Sequence, residues 1–165
     1  MLLFSALVGV VVLLLGLREF IRFRGRQMEK AISTHRLVET LADPREAAAI
    51  LLVQIAAYGD GQVTVEQKER ITALMSGQFG SDEEEAEGLF SFGRMAIGQI
   101  GDAFDSLGRL LRPIRASLTL DEMKEFVWMM SAVADTHERP VPEARRLIDE
   151  TRHALHVDLP ASLKD

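Results

Sequence analysis

The strongest constraint on what this chain can fold into lies at its start: Met1 to Leu17 (MLLFSALVGVVVLLLGL) carries no charged side chain. Seventeen residues in a helix span about 25 Å, against a hydrocarbon core of about 30 Å. Phe20, Ile21 and Phe23 prolong the apolar character, and Arg18 and Arg22 are long enough to reach the headgroups. A cleaved secretory signal has positive charge before its apolar stretch and a small-x-small site after it. Here only the α-amino group precedes the stretch, and arginines follow it. Residues 1–23 are therefore predicted to form a retained transmembrane helix. Ser5 and Gly9 make a small-xxx-small pair through which two such helices could pack closely, so a homodimer is one expectation.

Charge divides the remainder. Residues 18–36 hold Arg18, Arg22, Arg24, Arg26, Lys30 and Arg36 against Glu19 and Glu29, a net of +4. Residues 37–165 hold 13 basic and 23 acidic side chains, a net of −10. The organisation read from this is an anchor (1–23), a basic juxtamembrane segment (24–36), an acidic domain (37–157) and a flexible tail (158–165). Basic residues flanking a membrane helix stay on the cytoplasmic side. The N-terminus is thus predicted to be periplasmic and the domain cytoplasmic, in a bacterial inner membrane. Arg18, Arg22, Arg24 and Arg26 then sit at the membrane interface against lipid. A stop-transfer role is the simpler expectation for them, and selection of anionic lipid the further one.

Several function classes fall away. With no cysteine there is no disulfide scaffold, thiolate zinc site or cysteine nucleophile. The four histidines come without a phosphate-cradling glycine loop. His153 and His156, three apart on the last predicted helix, have no adjacent acidic ligand and read as a solvated helix end. No catalytic residue is predicted and the chain is not read as an enzyme. A domain with a net charge of −10 repels phosphate, which argues against nucleic-acid binding.

No segment alternates with period two, so the fold class is all-α. A short amphipathic piece covers 34–42. Asp43-Pro44 opens a helix over 44–58, with Ala48, Leu51, Leu52, Ile55 and Ala56 on one apolar face. Thr64-x-x-Gln67 is a capping box for a helix to about 78, with Ile71, Leu74 and Met75 inward. Ser81-x-x-Glu84 reads as a second box, starting a helix over 82–99. Residues 102–116 are helical up to a break near Pro113. Thr119-x-x-Glu122 caps a helix over 120–134, with Met123, Phe126, Val127, Met130 and Val133 facing inward and Trp128, Met129 and Met130 read as core filler. Val141-Pro142-Glu143 opens the last helix, 142–156.

One pattern is repeated. Ile55 to Glu66 (IAAYGDGQVTVE) resembles Ser131 to Glu143 (SAVADTHERPVPE). Each has an apolar helix, an Asp at its end, a polar turn, a valine and a Glu in the next first turn. Ile71 and Ile148 both follow that Glu by five residues. This is an internal duplication of a helix-loop-helix. It is not a calcium hand: that loop needs oxygen ligands at positions 1, 3 and 5, Gly at 6 and Glu at 12. Counting from Asp60 gives Val65 at six and Ile71 at twelve, and from Asp135 gives Pro140 and Arg146.

Asp60-Gly61-x-x-x-x-Glu66 after an Ala-rich helix resembles the signature of tellurite-resistance TerB-like domains, in which it typically occurs twice in an all-helical bundle. The Asp135 to Glu143 turn would be the second copy; it lacks the Gly and is two residues longer. With the anchor, the layout is similar to the N-terminal half of membrane-anchored DnaJ-like proteins. The J domain's His-Pro-Asp tripeptide is absent from these 165 residues, since no His precedes a Pro. The resemblance implies a membrane-associated adaptor that binds a protein partner, alternatively an accessory subunit of an integral membrane complex. It also implies a divalent cation, Ca²⁺ or Mg²⁺, on carboxylates. Here these would be Asp60, Glu66, Glu69, Asp135, Glu138 and Glu143. Asp60 and Asp135 are also ordinary helix-end acids, and Glu66 and Glu143 ordinary first-turn acids.

Overall fold

A computed structural model describes residues 37–157. The predicted anchor with Ser5 and Gly9, the basic segment with Arg18, Arg22, Arg24 and Arg26, and the tail lie outside the described residues. Among the described residues no helix is long and apolar enough to cross a membrane, and there is no strand. After a helical turn at 37–40, six helices follow: α1 (Pro44–Ala57), α2 (Val65–Phe79), α3 (Glu83–Ile100), α4 (Leu107–Ser117), α5 (Leu120–Ala134) and α6 (Pro142–Leu155). A 3-10 turn, Ala103–Ser106, leads into α4. The domain is all-α, as its pattern predicts.

Helix α1 is the axis of the bundle. Asp43 caps it, its carboxylate accepting from the Arg45 backbone N–H at 2.8 Å, and Pro44 takes the first-turn position where its missing N–H costs nothing. The sequence predicts one apolar face, but every residue from Ala47 to Ala57 is buried. The reason is that α1 packs against all five other helices, so no side is left for solvent. Burying each of Ile50, Leu51, Leu52 and Ile55 contributes roughly 1.5–3 kcal/mol. On one side α3 comes very close: a Cβ on Gly93 would lie 2.8 Å from the Ala49 carbonyl oxygen.

Local signals place the other helices well. The Thr64–Gln67 box is closed in both directions, at 3.2 and 2.9 Å, and Ile71, Leu74 and Met75 are buried. The Thr119–Glu122 box is likewise formed, and its helix spans the predicted residues. The N-cap of α3, however, is Asp82 rather than Ser81; its carboxylate accepts from the Glu85 N–H at 2.8 Å. Ser81 is buried instead, with its hydroxyl unpaired.

Three further expectations are corrected. The helix does not break at Pro113. The ring removes one backbone donor, but fully buried Leu110, Leu111 and Ile114 hold the helix to Ser117. Met129 and Met130 are fully buried while Trp128 is 41% exposed, because it projects from the outer side of α5. Helix α6 ends at Leu155, and His156 turns into the left-handed region (φ 54°), so His153 and His156 share no helical face.

Candidate functional site: the paired turns

The first turn leaves α1 at Tyr58. Gly59 and Gly61 have φ of 102° and 78°, values that L side chains avoid. Between them Asp60 folds back, its Oδ1 accepting from the Gln62 N–H at 2.9 Å. The carboxylate is therefore a turn-maker. The second turn leaves α5 at Asp135. Its Thr136 hydroxyl donates to the Val133 carbonyl at 2.6 Å.

The two turns meet through His137. Its Nε2 is 2.8 Å from the Ile55 carbonyl oxygen in the last turn of α1. A carbonyl only accepts, so Nε2 carries the hydrogen. Nδ1 is then the acceptor, 3.4 Å from Nε2 of buried Gln67. The Gln67 amide thus faces two ways: its oxygen closes the α2 capping box and its nitrogen reaches the opposite turn.

Between the turns lies an open cleft of ≈ 560 Å³. Tyr58, Asp60 and Gln62 line it from the first turn, and His137, Glu138 and Arg139 from the second. Tyr58 donates to Asp102 Oδ1 at 2.7 Å, the same oxygen that caps the 3-10 turn through the Phe104 N–H. Burial, then the Asp102 bond and the nearby charges of Asp102, Glu143 and Asp105, push the tyrosine hydroxyl well above its usual range. It stays a donor, and it ties the first turn to the α3–α4 junction.

The six predicted carboxylates are all exposed and do not converge. Asp60 and Glu138 share the cleft. Asp135 lines a neighbouring cavity of ≈ 610 Å³ with Arg139, Arg145, Asp149 and Arg152. Glu69 lines a third, ≈ 450 Å³, beside Lys68, Glu83 and Glu87. Glu66 and Glu143 line none of these three cavities. Among the described residues no group of three or more His, Asp or Glu side chains could hold a metal ion.

The residues missed in the sequence are His137, Gln67 and Tyr58. Gln67 had a signal as a capping residue, but its second bond is to a residue 70 positions away. Chemically, both His137 ring nitrogens are engaged internally, so neither is placed to move a proton of a bound molecule. What the cleft presents is polar turn residues on a rigid helical frame. No family model, no curated protein and no solved structure matches the chain.

Proposed function

We propose that the chain is a membrane-anchored helical adaptor of the TerB-like type, holding its domain at the cytoplasmic face of a bacterial inner membrane and binding a protein partner in the cleft between its two turns. The observation that carries the reading is the joint cleft itself. Two turns from duplicated helix-loop-helix units line one opening and are tied together by the His137–Ile55 bond. Exposed turn residues on a buried scaffold are the usual place for recognition. The anchor rests on the apolar and basic pattern of residues 1–36. Asp60 and Glu138 offer a hard cation two carboxylates. Ca²⁺ takes 6–8 oxygens, so a cation there would need water or the partner's oxygens to complete its shell, and would act as a bridge.

The test is a photo-crosslinking residue at Gln62 in cells. A discrete protein adduct, lost when Asp60→Lys and Glu138→Lys are combined, is the expected result. No adduct at Gln62 overturns the cleft reading. Adducts only from Ser5 or Gly9 would replace it with the accessory-subunit reading, in which the transmembrane helix packs on partner helices.

A further inference from the structure

Helix α4 is the one helix of the six with no acidic residue. Its sequence, LGRLLRPIRAS, sets Leu107, Leu110, Leu111 and Ile114 into the core. Arg109, Arg112 and Arg115 then fall at i, i+3 and i+6 on the outward side. Arg112 is exposed and approaches Glu39 at 3.9 Å. Arg115 is exposed and donates to a neutral acceptor, the Ala154 carbonyl, at 2.9 Å. Three residues beyond the helix, Leu120 is 51% exposed. In a domain whose net charge is −10 over residues 37–165, this is a local inversion of sign bordered by an exposed apolar side chain.

The position of the stripe is informative. The Glu39–Arg112 contact puts it beside the point where the chain enters the domain. Residues 18–36, with their net charge of +4, run from there to the apolar stretch. Nineteen residues reach at most about 65 Å, so an anchored chain holds α4 near the bilayer continuously. Under that tethering a few positive charges suffice to bias orientation towards an anionic surface.

We infer that the α4 stripe of Arg109, Arg112 and Arg115 is a second membrane contact, which docks the domain flat against anionic phospholipid and leaves its other faces open to the cytoplasm. The inference rests on the anchored reading above. It commits to lipid because the stripe continues the sign of the juxtamembrane segment at the same end of the domain. Leu120, three residues past the helix, is an exposed apolar side chain of the kind an interfacial contact uses.

The chain has no cysteine, so Ala116→Cys carries a polarity-sensitive fluorophore at one site, on the exposed side of α4. The full chain is reconstituted into vesicles of phosphatidylcholine alone or with phosphatidylglycerol. The expected result is a blue-shifted emission only with phosphatidylglycerol. Reversing the stripe (Arg109→Glu, Arg112→Glu, Arg115→Glu) should cut the shifted fraction at least about tenfold. Arg112→Glu alone, whose side chain makes no backbone bond among the described residues, should cut it in part with the helical circular dichroism unchanged. Equal emission in both lipids, or no response to charge reversal, overturns the inference. Alkaline carbonate extraction reports the anchor separately. Resistance to extraction without a lipid-dependent shift sinks the docking and keeps the anchor. Extraction with a phosphatidylglycerol-dependent shift sinks the anchor and keeps the docking.

Discussion

His137 and Ile55, 82 positions apart in the chain, are joined by a 2.8 Å hydrogen bond from a ring nitrogen to a backbone carbonyl. The last carbonyls of a helix have no intrahelical partner. Here one of the last carbonyls of α1, which the Tyr58 N–H reaches only at 3.4 Å, takes its shorter bond from the turn that follows α5. The two turns are thus joined by a polar bond as well as by the apolar core.

Removing that donor should be costly. His137→Ala is expected to destabilise the fold by roughly 1–3 kcal/mol, since it leaves the carbonyl of buried Ile55 with only the long 3.4 Å contact to the Tyr58 N–H. Urea unfolding followed by Trp128, the single tryptophan, measures it. Gln67→Ala combined with His137→Ala should lose less than the sum of the two single changes, by about 0.5 kcal/mol or more. Strict additivity would show that the 3.4 Å contact between them contributes nothing.

Two glycines of α3 should respond with opposite signs. Gly93→Ala drives a Cβ against the Ala49 carbonyl, and should cost roughly 1–3 kcal/mol as α1 and α3 are forced apart. Gly88→Ala meets nothing within 4 Å, and should stabilise by roughly 0.5–1 kcal/mol through helix propensity. Thermal melts of the two variants side by side decide it.

Acid should loosen the start of α1. The Arg45 side chain bonding Asp43 holds its carboxyl below the usual value of 3.8. A depressed carboxyl contributes stability that is fully present above the unfolded pKa and lost as pH falls through the lower folded value. Asp43→Ala should therefore lower the melting temperature at neutral pH, with a cap loss of about 1 kcal/mol. The difference from the unaltered protein should narrow as pH falls below 3.8 and through the lower folded value. A gap that persists there would mean that Asp43 acts through something other than its charge.

Metal provides a further check on the cleft. Two carboxylates, Asp60 and Glu138, make a weak site by themselves. Millimolar Ca²⁺ or Mg²⁺ is therefore expected to raise the melting temperature of the isolated protein by no more than about 1 °C. A rise of several degrees that Asp60→Ala abolishes would show a complete cation site formed without a partner.

What the sequence made legible follows the range of the interaction. Thr64 with Gln67 and Thr119 with Glu122 are three residues apart, and both boxes were readable as they stand. Ser81 and Asp82 are adjacent and equally able to cap, so the choice between them depends on Ser81 being drawn into the core. Pro113 marks a break by local rules, and the burial of its neighbours overrides it. Five apolar positions on α1 suggested one face. Only a ring of five helices reveals that the intervening Ala47, Ala49, Ile50, Val53 and Gln54 are covered too. The likeness of the two turn sequences pointed to their nearness. The bond that fixes it, His137 to Ile55, has no local signature.

The all-round burial of α1 also sets a schedule for synthesis. Pro44 is made about a hundred residues before Pro142, an interval of roughly 5–20 s at ordinary elongation rates. During that time the run from Ala47 to Ala57 is made before α5 and α6, two of the helices that cover it, exist. Helix α3 arrives first among its major covers, and Gly93 lets it seat directly on the Ala49 backbone. A bulkier residue there would hinder that early seating, so Gly93→Ala is expected to lower the yield of folded protein as well as its final stability.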